Sequence, residues 1–257
     1  MTDHTTGRLV ILAGPSCVGK SPLAKALARF HPDLSRRLQP IVLYNSRDPR
    51  PGEADGVDYH FRSRDQIEAL AADTARYVMM DVRGDLQALD LNDLDALLAK
   101  GDAFFEGNPF VARFMLTHER LRTVPRLSIF VAPLSAAEIR SLRDQPALFL
   151  PALVADVMRR KLLRRMSRQK GILSLPDLEE VERRCRSAYA ELRFAHLFDH
   201  VIPNHDGEDS EHWETFHLPL GDARRALLAV ASLLEGRTPE GVERWDEGLL
   251  PDARAKS

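Results

Sequence analysis

Cysteine is scarce in this chain. Cys17 and Cys185 are the only two in 257 residues, too few for a disulfide framework or a zinc site. A reducing, cytoplasmic setting is therefore expected. Long apolar runs are also missing: none approaches the roughly 18 residues a membrane span needs. The opening Met1-Thr2-Asp3-His4-Thr5-Thr6 is polar and carries no signal-peptide core. Nor is one sign of charge in excess. The 36 basic and 38 acidic residues leave a formal net charge of -2, so no global basic field is there to attract nucleic acid. No internal repeat is evident. The length suits one α/β domain with an inserted or appended piece.

What is present is an alternation of strand and helix signals. Arg8 to Ala13 reads as a strand. A helix runs from Ser21 to Phe30 with Leu23, Ala24, Leu27 and Ala28 as its apolar face, and His31-Pro32-Asp33 ends it. Pro22 is tolerated in the first turn, where a missing N–H costs nothing. Further strands are expected at Pro40–Tyr44, Tyr59–Phe61, Tyr77–Val82, Ala103–Phe105, Leu127–Val131 and His200–Ile202. Further helices are expected at Arg64–Ala71 (capped by Ser63), Leu91–Leu98, Phe110–Arg120, Ala136–Leu142, 152–170, Leu178–Phe194 and Asp222–Leu234. Gly171 stops the basic helix 152–170, and the tail after Pro251 is expected to fray. The alternation predicts a mainly parallel sheet with helices on both faces.

The first strand leads into Gly14-Pro15-Ser16-Cys17-Val18-Gly19-Lys20-Ser21, which matches the G-x-x-x-x-G-K-[ST] phosphate loop in its proper place between strand and helix. Backbone N–H groups from Ser16 through Ser21 point into a concavity at a helix start, where unsatisfied amides and the helix dipole both favour negative charge. Lys20 reaches the β- and γ-phosphates, and Ser21 offers its hydroxyl to Mg²⁺. A nucleotide phosphate with Mg²⁺ is the ligand expected. Cys17 lies near a helix start, a setting that lowers thiol pKa values, so a reactive thiol is one reading of it.

A second anion site is signalled by Arg47 and Arg50 flanking Pro49, followed by Tyr59. An arginine pair grips a phosphate monoester bidentately, and a tyrosine hydroxyl can donate to the same group. A solvated polar turn is the other reading of this stretch.

Gly14 to Ser21, followed by Ser46-Arg47-Asp48-Pro49-Arg50-Pro51-Gly52-Glu53-Ala54-Asp55-Gly56-Val57-Asp58-Tyr59-His60-Phe61, resembles the guanylate kinase family. The resemblance covers roughly residues 8 to 206, strongly at both ends. It implies a P-loop NTPase-type three-layer α/β/α fold with a small acceptor-binding part at about 43–100 and a helical lid at about 143–176. Residues 1–220 then form the main domain, and 221–257 a C-terminal helical extension. It implies transfer of the γ-phosphate of ATP to GMP or a related nucleoside monophosphate, with Mg²⁺. Arg47, Arg50 and Tyr59 are assigned the acceptor phosphate, Arg184 a phosphate contact, Asn204 a place beside the base, and Glu106 support of Mg²⁺ or of the acceptor. The cations of the lid helix, Arg164 with Arg165 and Arg168, are assigned to the phosphates in transit; a solvated face, or a contact for RNA or an acidic partner, are the alternatives. Leu43 stands where the family carries a serine, and it supplies no hydrogen bond to a purine edge. Two other functions stay open: a kinase of another small phosphorylated acceptor, and a catalytically weak protein-binding module.

His196, His200, His205, His212 and His217 fit no zinc spacing. Trp213, Phe216 and Leu218 are expected to dock the tail. The segment after residue 206 is expected to cover a sheet edge or to form a homodimer surface.

Overall fold

The computed structural model describes residues 7–50, 52–145 and 147–252. In chain order the elements are β1 (Leu9–Ala13), α1 (Lys20–Phe30), α2 (Pro32–Arg36), β2 (Leu38–Pro40), β3 (Leu43–Asn45), β4 (Tyr59–Phe61), α3 (Arg64–Leu70), β5 (Tyr77–Val82) and β6 (Asp85–Asp90). They continue as α4 (Leu91–Leu98), β7 (Asp102–Gly107), α5 (Pro109–Thr117), β8 (Arg126–Ala132), α6 (Ala136–Arg143), α7 (Leu150–Lys170), α8 (Leu175–Leu192), β9 (His200–Pro203) and α9 (Gly221–Leu234). Five strands form one sheet in the order β2-β7-β1-β8-β9, and four form another in the order β4-β3-β6-β5. This is a mixed α/β fold of the three-layer P-loop NTPase kind.

By packing density the chain divides into two units. Residues up to Val10 together with Arg37–Phe105 make the first, and Ile11–Arg36 with Glu106 onward make the second. In the first unit β3 pairs in parallel with β4, while β6 runs antiparallel to both β3 and β5. The expected mainly parallel arrangement therefore holds for β2 with β7 and β8 with β9, but not for this second sheet. Ser63 caps α3 with a reciprocal bond to Gln66, as its spacing predicts. In the second unit Ile11, Leu12 and Ala13 of β1 are buried, and Phe130 meets Phe198 edge-on at 5.1 Å between ring centres.

Three local expectations are corrected. The single strand expected at Pro40–Tyr44 is two strands, β2 and β3, that belong to different sheets. Asp85–Asp90, unmarked in the sequence, is a strand, and Pro32 opens the short helix α2 instead of only ending α1. A proline at the first helical position has no N–H to lose. On α1 the buried residues are Lys20, Leu23, Ala26 and Leu27, while Ala28 is exposed.

The C-terminal segment covers an edge. Val201 in the outer strand β9 exchanges two backbone hydrogen bonds with Glu243, at 2.7 and 2.8 Å. Trp245, Leu249 and Leu250 are the buried anchors of this segment, and the Tyr189 hydroxyl donates to the Pro251 carbonyl. Phe216 and Leu218 do not share that role, being exposed, and Trp213 is buried elsewhere, as described below. The expected fraying from residue 253 onward lies outside the described residues. Among the described residues no helix is long and apolar enough to cross a membrane.

Candidate active site

The phosphate loop lies in the second unit from Gly14 on. It runs between the buried end of β1 and the start of α1, and all of it except Ser16 and Ser21 is buried. Two residues bend it. Cys17 holds a left-handed φ of 65°, which costs a residue with a side chain on the order of 1 kcal/mol. Gly19 has φ 98°, and a Cβ there would stand 2.7 Å from Asn204 Nδ2, 2.7 Å from the Asp206 carbonyl and 3.0 Å from the Trp213 ring. Only glycine fits. Lys20 donates from Nζ to the carbonyls of Gly14 (2.8 Å) and Pro15 (2.9 Å), so its ammonium lies across the mouth of its own loop. Ser21 donates to Glu106 Oε1 at 2.8 Å, which joins the loop to the end of β7. Burial pushes the Glu106 carboxyl above its ordinary value, against the pull of Lys20 and of the Ser21 hydrogen bond.

Arg47, Arg50 and Tyr59 lie in the first unit. The Arg47 guanidinium grips Glu53 with both arms, at 2.6 and 2.7 Å, and the Arg50 amide donates to the same carboxylate at 2.7 Å. It also stacks over the Tyr59 and Phe61 rings, 5.1 and 5.4 Å from their centres. Burial works against the Glu53 carboxylate, but Arg47 and the Arg50 amide outweigh it and hold its pKa down. Tyr59 is shifted upward by burial, opposed by the Arg47 and Arg50 charges. The sequence reading missed Glu53, although its place three residues after Arg50 is the signal that would have found it.

Helix α7, within the stretch expected to be a lid, presents Lys161, Arg164, Arg165 and Arg168 to the loop 205–211 of the same unit. Arg165 pairs with Glu208, Lys161 donates to the His205 carbonyl at 2.5 Å, and Arg168 donates to the Asp209 carbonyl at 2.5 Å. Arg164 is the most exposed of the four, with 70% of its side chain accessible and Asp209 3.7 Å away. Lys161, with 12% accessible, and Arg165, with 26%, are drawn in. Of the three cations expected to reach the phosphates, Arg164 is therefore the outermost and Arg165 the most enclosed, with Arg168 between them at 52%. A cavity of about 620 Å³ opens between this helix and the loop, lined among others by Arg160, Arg164, Arg168, His205, His212 and Leu220.

The family model for guanylate kinase matches residues 6–80. A guanylate kinase from Rhodococcus jostii (strain RHA1) is 32% identical over 203 residues, covering 78% of this chain and 81% of its own length. One from Idiomarina loihiensis is 31% identical over 207 residues, covering 79% and 82%. The chain belongs to the guanylate kinase family. A crystal structure of guanylate kinase from Anaplasma phagocytophilum shares the fold, with a TM-score of 0.52 at 18% identity over 90% of this chain and 86% of that one. Family and fold together support a guanylate-kinase-like phosphotransferase activity.

Other residues of this guanylate kinase relative sit differently from expectation. Asn204 was expected beside a base. Both of its amide hydrogens are taken, by the Val18 carbonyl and the Asp206 carbonyl at 2.8 Å each, so it braces the phosphate loop from behind. Trp213 joins it there, donating to the carbonyls of Asp206 and Gly207. Arg184 is buried on α8 and held by Glu180 one turn earlier, at 2.6 Å. The Cys17 thiol is not activated: burial, then the nearby Glu208 and Asp209 charges, push its pKa up to about 12. A helix start lowers a thiol pKa only where the thiol is open to the dipole and to water. His205 lies between Asp222 and Glu138, and His212 pairs with Asp206.

Proposed function

We propose that this chain transfers the γ-phosphate of ATP to GMP or a related nucleoside monophosphate with the help of Mg²⁺. The observation that carries the reading is the Lys20–Ser21–Glu106 arrangement, which joins the start of α1 to the end of β7. Mg²⁺ takes one or two carboxylates and hard hydroxyl oxygens and keeps several waters. Ser21 Oγ and Glu106 Oε1, 2.8 Å apart, are such a pair, and they fit that ion. The ion, when bound, would supply neutralisation of the negative charge that develops on the phosphates.

The chain's own residues do the positioning. Amides of the Ser16–Ser21 backbone hold the donor's phosphates, and Lys20 turns from its loop carbonyls toward them. Arg47, Arg50 and Tyr59 fix the acceptor phosphate; Glu53 keeps Arg47 aimed and charged. Phosphoryl transfer needs little covalent help from protein, so a strong general base is not required. Cations of α7 take up charge on the group in transit.

A second acceptor, a small phosphorylated molecule other than a purine nucleotide, is favoured by Leu43, which lies on one face of the β4-β3-β6-β5 sheet and offers no hydrogen bond where the family carries a serine. Leu43, Val78, Met80 and Leu89 are buried there, and the amides Asn45 and Gln87, cross-strand partners, are its buried polar groups. Gln87 Oε1 is buried without a hydrogen-bond partner. Coupled ADP release, measured across GMP, other nucleoside monophosphates and sugar phosphates, separates the two acceptors. Turnover with GMP supports the first reading, and turnover confined to a sugar phosphate supports the second. No turnover with any acceptor, together with no ATP binding, overturns the enzyme reading and leaves a protein-binding module.

A further inference from the structure

The loop 205–213 has no part in the activity proposed above, yet it is built against the phosphate loop. Gly207 approaches so closely that a Cβ there would stand 2.3 Å from the Cys17 carbonyl, 2.7 Å from Asp209 Oδ1 and 3.1 Å from Lys161 Nζ. A loop carbonyl, a carboxylate and an ammonium thus converge beside the phosphate cradle. Glu208, 13% accessible, holds Arg165, and Asp209, 7% accessible, faces Lys161 at 4.0 Å and Arg164 at 3.7 Å. Arg168 completes the seam, reaching the Asp209 carbonyl and, at 3.1 Å, Glu211.

An ordinary structural ion pair satisfies its buried oxygens. This one does not: Asp209 Oδ1 is buried and accepts no hydrogen bond. The two carboxylates also stand where added negative charge is felt in the phosphate loop, since both raise the Cys17 thiol and Glu208 raises Glu106. Fixed carboxylates at a triphosphate site repel the ligand. They are compatible with binding if the cations exchange these carboxylates for phosphate oxygens: Lys161 gives up a loose 4.0 Å contact with Asp209, and Arg165 trades its direct ion pair with Glu208 for one with a more highly charged group.

We propose that Glu208 and Asp209 are an internal stand-in for the donor's triphosphate, holding Lys161 and Arg165 at the phosphate loop until the triphosphate takes these two cations from them. It follows that Lys161 and Arg165, rather than Arg164, are the lid cations that contact the phosphates. The inference rests on the donor-site reading given above.

The test is equilibrium binding of a non-hydrolysable ATP analogue to the full chain, with and without Mg²⁺, for wild type and three variants. Glu208→Gln is expected to bind roughly three- to tenfold tighter in both conditions. Arg165→Gln is expected to bind roughly tenfold more weakly. In the double variant the gain from Glu208→Gln should vanish, because the cation it frees is gone. A purely structural seam predicts the reverse sign for Glu208→Gln, namely weaker binding with a lower melting temperature. Unchanged or weaker binding by Glu208→Gln overturns the proposal, and weakening seen only with Mg²⁺ overturns it in favour of a metal-supporting carboxylate. If wild type binds the analogue, such a failure leaves the donor-site reading standing. If wild type binds none, both fall.

Discussion

In the phosphate loop the groups proposed to hold an anion are backbone amides, set by a buried chain path through Cys17 and Gly19. Between Arg47 and Tyr59 they are side chains, with Arg47 and Arg50 in the loop after β3 and Tyr59 at the start of β4, and an ion pair with Glu53 sets the aim of Arg47. The first arrangement is rigid and depends on residues that barely touch the ligand. The second is adjustable: a change of one charge re-aims it without disturbing the sheet. A donor site of the first kind keeps its ligand constant, while an acceptor site of the second kind can change substrate within one fold.

That contrast can be broken most severely at Lys20. Lys20→Ala should lower kcat/KM by about a thousandfold and abolish ATP-analogue binding, read by coupled ADP release and by calorimetry, with the circular dichroism spectrum unchanged. Arg47→Ala should act on the other partner, raising the acceptor's KM roughly a hundredfold while the KM for ATP stays put. Equal loss for both substrates would mean that the two sites are not separable in this way. Gly19→Ala probes the rigidity itself. With a Cβ forced to within 2.7 Å of two neighbours at φ 98°, unfolding by urea should show a loss of about 2 kcal/mol, larger than any single substitution in the arginine loop.

The smallest effect is on pH. Burial holds the Glu106 pKa above its ordinary 4.5. If the ionised carboxylate is the working form, the acid limb of kcat/KM lies above 4.5 and activity falls as pH drops through it. Lys25 lowers this pKa from the exposed face of α1, so Lys25→Gln should move the limb a little further up. The stability linkage has its own sign. A raised carboxyl favours the folded chain when protonated, a gain present below the ordinary glutamate value and lost as pH rises through the shifted one.

The same contrast explains what could be read from the sequence. Gly14 to Ser21 was legible because fixed spacing and a flanking strand and helix are written locally. Leu91–Leu98 and the Ser63 cap were legible for the same reason. The division of Leu38–Asn45 into two strands of different sheets was not, since nothing local distinguishes a strand that continues from one that changes sheet. Asp85–Asp90 was hidden by Asp at both ends and by Ala88, a weak strand former that sits in a fully buried pair with Leu89. Glu208 was missed because its partner Arg165 is 43 residues away, Trp213 was given another role because its packing on Gly19 is equally remote in sequence, and Glu53 was missed although its arginines are near, because a polar turn reads as solvated. Asn204 was expected beside the base, but its amide hydrogens turn inward to the Val18 and Asp206 carbonyls, the first a pairing across 186 residues that no local pattern shows.

The packing of Trp213 against Gly19 has an optical consequence. The chain has two tryptophans, and the other, Trp245, sits in the C-terminal segment with its indole on Glu243. Replacing Trp245 by phenylalanine leaves a single indole whose ring lies 3.0 Å from where a Gly19 side chain would begin. Its emission then reports on the phosphate loop alone, so ligand entry can be followed in real time in an otherwise unlabelled protein.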